Sequence, residues 1–132
     1  GAIKIYDTRS GIDPDFPESL HNDNELSQIG HAGEEFGTTT GRKRIINWLN
    51  MDKLVQVINM SGTTDLIISK VDIVNQLQLF KLIVQNTIQT FQNISEMISF
   101  VNDFLLSKCI LLKNISYSDN PHDIKDNSLK YL

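Results

Sequence analysis

Ile94, Met97, Ile98, Val101, Phe104 and Leu105 recur at i, i+3, i+4, i+7, i+10 and i+11, which places all six on one face of an α-helix. The spacing predicts a helix over Ile94 to Ser107 whose apolar face must pack on something. Short apolar runs flank it. Leu66-Ile67-Ile68, inside Asp65 to Ser69, reads as a buried strand, and Phe80 to Val84 as another, although an apolar run alone also fits helix. Cys109 to Ile115 is expected to form a strand after the helix, and Ile3-Lys4-Ile5-Tyr6 one near the start. Met51 to Asn59 carries Leu54, Val55 and Ile58 at helical spacing, with Asn50 as N-cap and Ser61-Gly62 as its end. Strand, helix and strand in alternation give an α/β fold with partly parallel pairing.

The polar stretches have a different organisation. Thr8 to Gly33, punctuated by Gly11, Pro14, Pro17 and Gly30, is expected to be mostly loop, with one short helical turn at Glu25 to Ile29. The tail from Ser116 to Leu132 is polar and contains Pro121. At 132 residues, with 40% hydrophobic and 21% charged side chains, the chain fits one folded, soluble domain with a moderate core. Twelve Lys and Arg against sixteen Asp and Glu give a net charge of −4, which disfavours a broad nucleic-acid surface. Leu79 to Val84, broken by Lys81, falls far short of the roughly 20 apolar residues that span a bilayer. Neither a nucleic-acid nor a membrane partner is expected.

Cys109 stands alone, so no intrachain disulfide can form, and a reducing, cytoplasmic setting is the simple reading. It reads as a small apolar residue rather than a nucleophile. The start shows no secretory signal, so the Asn-x-Ser tripeptides at Asn59, Asn93 and Asn114 are expected to be chance matches. His21, His31 and His122 read as surface or loop residues. With no initiator methionine and an opening strand, the chain is expected to be part of something longer.

The most informative local segment is Glu35-Phe36-Gly37-Thr38-Thr39-Thr40-Gly41-Arg42-Lys43-Arg44, where two glycines bracket three hydroxyls and a basic triplet follows. In an extended loop Arg42 and Arg44 point the same way and Lys43 the other. Two guanidinium forks, with threonine hydroxyls and backbone N–H groups, suit a carboxylate or phosphate ligand. The same residues also fit a solvated basic turn.

This segment, with Trp48-Leu49 behind it, resembles the aspartate-binding loop of the adenylosuccinate synthetase family. Three further motifs occur in that family's order. Thr8-Arg9-Ser10-Gly11 with Phe16-Pro17-Glu18 and Leu20 is similar to its Thr-Arg-Val-Gly and Phe-Pro-Thr-Glu-Leu segments. Ser69-Lys70-Val71-Asp72 is similar to its Thr-Lys-Leu-Asp base-recognition motif, and Ile115-Ser116 falls where its Ser-Thr-Gly-Pro nucleotide contact lies. The resemblance covers nearly the whole chain. It implies that residues 1–132 are the C-terminal portion of a P-loop-containing, mostly parallel-sheet synthetase fold. The aspartate loop would be 37–44 and the base motif 69–72, with the N-terminal phosphate-loop half absent.

What the resemblance implies about roles follows position by position. Thr38, Thr39, Thr40, Gly41, Arg42, Lys43 and Arg44 would hold L-aspartate. Arg42 would also touch the purine-nucleotide substrate, and Arg44 would bridge to the nucleoside triphosphate. Lys70, Val71, Asp72, Ser116, Tyr117 and Ser118 would bind that triphosphate. The Asp72 carboxylate would accept both N–H donors of guanine, which favours GTP. No catalytic group and no metal ligand falls in this segment, since the family's catalytic Asp, catalytic His and Mg2+ ligands belong to the other half. The implied activity is a purine-biosynthesis ligase joining L-aspartate to C6 of IMP with GTP hydrolysis, as a homodimer, with this segment alone inactive.

Departures from the family pattern leave two rivals. Ile45, Asn47 and Asn50 replace an arginine, a glycine and an aspartate around Trp48, and Ser116-Tyr117-Ser118-Asp119, with Pro121 displaced, replaces Ser-Thr-Gly-Pro. The stretch between Asp72 and the last helix is short, as in compact archaeal-type and phage members. The phage branch acts on dGMP with aspartate, and some of its members use ATP or dATP. A non-catalytic binding or assembly module that keeps the ligand loop is the other rival.

Overall fold

The structure, a computed structural model, describes residues 1–9, 13–35 and 44–118. Thr38 to Lys43, and the tail residues Asp119, Pro121 and His122, lie outside the described residues. Seven strands and four α-helices are assigned among the described residues: β1 (Ala2–Lys4), β2 (Tyr6–Arg9), α1 (Asn24–Ala32), β3 (Ile45–Asn50), α2 (Met51–Ser61), β4 (Asp65–Ser69), α3 (Val71–Leu77), β5 (Lys81–Val84), β6 (Thr87–Thr90), α4 (Ile94–Lys108) and β7 (Asn114–Tyr117). A 3-10 helix at Glu18–Asn22, which includes His21, precedes α1.

Two sheets result. One has the order β1-β4-β7 and is parallel throughout, with Ala2 opposite Ile67 and Leu66 opposite Ile115. The other, β2-β3-β5-β6, is mixed, with only β3 and β5 running parallel. The α/β expectation with partly parallel pairing therefore agrees with the structure, while the four-stranded sheet departs from a mostly parallel one. Ile5 links the sheets. Its N–H donates to the Ser69 carbonyl at 3.0 Å, and the next residue, Tyr6, begins the pairing with β3.

Helix ends follow from local chemistry. The Asn50 side chain accepts from the Lys53 N–H at 3.2 Å, and Gly62 closes α2 in the left-handed region at φ 68°. Asn93 caps α4 in the same way through the Glu96 N–H at 2.8 Å. Met97, Ile98, Val101 and Leu105 of α4 are buried, as the apolar spacing predicts, and Phe104 is half-buried with its ring stacked 5.6 Å from Phe100. The helix packs against α2.

All three asparagines of the Asn-x-Ser tripeptides tie elements together. Asn93 caps its helix. Asn59 donates to the Lys108 carbonyl at 3.2 Å and accepts from the Ile110 N–H at 2.9 Å, while Asn114 donates to Asp65 at 2.7 Å. That bond and one from Thr64 hold the exposed Asp65 carboxyl below its ordinary range.

Several local expectations change. The stretch expected to be loop begins with the last two residues of β2 and contains a nine-residue α1, capped by Asp23 on the Leu26 N–H at 2.9 Å. The last strand begins at Asn114 rather than Cys109. Ile110 and Leu111 lie in a connection, exposed by 86% and 53%, because the ladder starts where Asn114 meets Asp65. Cys109 is buried beside them, and burial pushes its thiol pKa up, consistent with a packing role. His31 is exposed in the last turn of α1. No helix among the described residues is long and apolar enough to cross a membrane.

Tyr6 and Tyr117 are both buried, and burial is the leading cause holding both phenols above their ordinary range. The Tyr117 hydroxyl donates to Asn102. A folded-state pKa above the unfolded value of about 10 means that only the unfolded chain ionises as pH first rises past that point. The tyrosine contribution to stability should hold up to about pH 10 and then fall. Urea midpoints across that range should decline less steeply in Tyr117→Phe, and an identical decline would contradict the assignment.

Candidate functional site

Parallel strands gather their carboxyl ends along one edge of a sheet, where open α/β folds bind ligands. Here that edge brings Lys4 opposite Ser69, with Tyr117 opposite Ile68 and the Ser118 N–H donating to the Ile68 carbonyl at 2.9 Å. Lys70 and Asp72 follow β4 directly. Lys70 adopts the left-handed conformation at φ 66°, so β4 turns into α3 without an intervening loop. The Lys70 ammonium donates to the Gly33 carbonyl at 3.4 Å.

Gly33 leads into a buried carboxylate. Glu35 is only 4% exposed. One of its oxygens accepts from the Tyr6 hydroxyl at 2.9 Å, and the other from Lys4 at 3.0 Å and Arg44 at 3.4 Å. A buried charge needs such partners, since removing them leaves an uncompensated ion. The main chain is tied too. Arg44 N–H donates to the Glu35 carbonyl at 3.0 Å, and Glu35 N–H to Gly30 at 2.9 Å. After burial, the Glu35 charge, its hydrogen bond and then the Asp72 charge hold the Tyr6 phenol far above its ordinary range. Asp72 thus belongs to the same electrostatic neighbourhood as Glu35.

The structure therefore links Arg44 to Lys70 through the Gly33–Glu35 corner, with the Asp72 charge felt at Tyr6. Val71, Tyr117 and Ser118 are fully buried, and Ser116 is half-buried. Arg9 is bonded to Asp7 and Asp13, and its guanidinium lies 4.8 Å over the buried Phe16 ring. A cleft of about 670 Å3 opens alongside, lined in part by Lys4, Tyr6, Thr8, Arg9, Lys53 and Ser69. Sequence reasoning missed Lys4, Tyr6 and the role of Glu35. The available signal was a lysine within an otherwise apolar strand and a glutamate at the head of the basic loop.

A polar, charge-paired carboxyl edge on a parallel sheet, with Arg44 tied to it through Glu35, marks the candidate site of this α/β chain. The adenylosuccinate synthetase family model matches residues 1–111. Adenylosuccinate synthetase of Petrotoga mobilis is 34% identical over 132 residues, all of this chain and 30% of that protein. That of Thermosipho africanus is 39% identical over 103 residues, 78% of this chain and 25% of that protein. Fully ligated adenylosuccinate synthetase from Plasmodium falciparum shares the fold, with a TM-score of 0.70 at 19% identity over 88% of this chain and 36% of that one. The chain belongs to the adenylosuccinate synthetase family, and it spans at most about a third of these relatives.

Proposed function

We propose that this chain is the C-terminal portion of a synthetase that joins L-aspartate to C6 of IMP with GTP hydrolysis. It supplies the aspartate loop, 37–44, and the base-recognition motif, 69–72, and the phosphate-loop half comes from elsewhere. One observation carries the reading: Glu35 bonds Arg44 at the loop base, while its neighbour Gly33 receives Lys70 of the base motif. Two segments that must hold two substrates of one reaction are thereby fixed to each other. GTP phosphorylates the purine O6, and the aspartate amine then displaces phosphate to give the N6-succinyl purine. Thr38, Thr39, Thr40, Gly41, Arg42, Lys43 and Arg44 orient the amine donor, and Arg42 also touches the purine nucleotide. Arg44 also reaches the triphosphate, and Lys70, Val71, Asp72, Ser116, Tyr117 and Ser118 complete its site.

Mg2+ does not fit the residues described. Among them no three His, Cys, Asp or Glu side chains are grouped to hold a metal ion, and Glu35 is already shared by Lys4, Tyr6 and Arg44. In this reading the metal ligands and proton-transfer groups come from the phosphate-loop half, as the resemblance implies. A cytoplasmic homodimer completes this reading.

Buried Ser118, at the family's glycine position, favours a second reading, because its side chain takes space that a glycine leaves to an approaching base. This is the phage-type synthase, acting on dGMP with ATP or dATP. Initial rates with GTP, ATP and dATP, for the complete synthetase and for Asp72→Asn, decide between them. GTP should be preferred several-fold and the preference lost in Asp72→Asn, since facing adenine would leave a carboxylate acceptor unsatisfied at about 1–3 kcal/mol. A best rate with ATP or dATP that Asp72→Asn leaves unchanged favours the phage-type reading. No succinylated purine from any substrate pair would make the chain a non-catalytic binding module.

A further inference from the structure

We propose that Glu35 is a positioning residue for the aspartate site, acting by fixing the guanidinium of Arg44. The inference rests on the reading of Arg44 as an aspartate contact and gives Glu35, the first residue of that segment, a role the resemblance does not assign. Four connections support it. Glu35 is buried to 4% exposure, yet its carboxylate reaches Arg44, whose side chain remains 30% exposed. The Glu35 main chain accepts from Arg44 N–H and donates to Gly30, so the residue is anchored to the end of α1 before its side chain bonds anything. Tyr6 occupies its other oxygen from the first residue of β2. Lys4 approaches from the end of β1.

The charge count is consistent with this role. One carboxylate is shared by two cations, leaving Lys4, Glu35 and Arg44 with a net positive charge, which suits a dicarboxylate ligand; the Asp72 charge stands nearby and opposes it in part. The bond to Glu35 engages one of the five N–H donors of a guanidinium. A fork held from behind loses less rotamer freedom on binding than a free arginine, so the benefit falls on aspartate capture. Glutamine at position 35 keeps the shape and an acceptor for Tyr6 but removes the charge that fixes Arg44.

Steady-state kinetics of the complete synthetase carrying Glu35→Gln, Arg44→Ala or both test the proposal. Glu35→Gln should raise the aspartate KM roughly tenfold and the triphosphate KM by less, since Arg44 is also read as reaching the triphosphate, while kcat stays near that of the parent. The double variant should match Arg44→Ala alone, because Glu35 acts through that residue. Glu35→Asp, which draws the carboxylate back by one methylene, should show the same aspartate-weighted defect and serves if Glu35→Gln does not fold. Additive defects in the double variant, or an unchanged aspartate KM in both Glu35 variants beside a raised one in Arg44→Ala, would overturn the positioning role alone. An unchanged aspartate KM in Arg44→Ala would instead remove the underlying reading of Arg44, and the proposal with it.

Discussion

Leu105→Ala should lower the stability of the chain by about 2–5 kcal/mol, whereas Leu106→Ala should change it by less than about 1 kcal/mol. The two leucines are neighbours in one helix and undergo the same chemical change. Leu105 is fully buried, while Leu106 is 48% exposed. Truncating the first removes apolar surface from the core and leaves a cavity; truncating the second removes atoms already half in water. Both substitutions keep good helix formers, so propensity contributes little to the contrast. Chemical denaturation of the two variants measures it directly. Equal losses would mean that α4 presents a different face to α2 from the one seen here.

Gly33→Ala should cost about 1–3 kcal/mol and also disturb the candidate site. The backbone at Gly33 has an ordinary φ of −84°, so conformational freedom is not what requires glycine there. Space is. A Cβ would stand 2.4 Å from the Tyr6 hydroxyl and 3.1 Å from the Ile29 carbonyl. The carbonyl belongs to the last full turn of α1, and the hydroxyl is fixed by its bond to Glu35, so neither can yield without breaking a contact. Denaturation should show the loss. Tyr6→Phe in the same background should restore part of it by deleting the obstructing oxygen, and no recovery would show that the clash lies with the carbonyl.

What the sequence made legible was whatever local chemistry decides. The cap at Asn50, the αL glycine at 62 and the stripe of α4 all need only neighbours along the chain. Elements defined by pairing were harder to read. β6 exposes every residue, so it carries no inward-facing pattern, and the turn before it places Gln85 and Asn86 at positive φ without the usual glycine. Val71–Leu77 is rich in β-branched side chains and is nonetheless helical, because Val71, Ile73 and Val74 are buried there and the helix packs on α1. The apolar run from Cys109 misplaced β7, since burial of Cys109 and Leu112 does not require a ladder. In the site, Arg44, Lys70 and Asp72 stood out by motif. Lys4, Tyr6 and Glu35 come from separate elements, and only tertiary structure brings them together.

The register of the parallel sheet bears on how the chain acquires its structure. Residues 2–4 pair with 67–69, and residues 65–68 pair with 114–117, so each ladder must close a long loop before its first hydrogen bond forms. The β5–β6 hairpin and the capped helices need no such wait. Non-local parallel pairing is intrinsically slow, so β1-β4-β7 should assemble after the hairpin and helices. Until then the edges around Ile67 and Ile68 are open to pairing with other molecules, and aggregation during refolding should begin at β4.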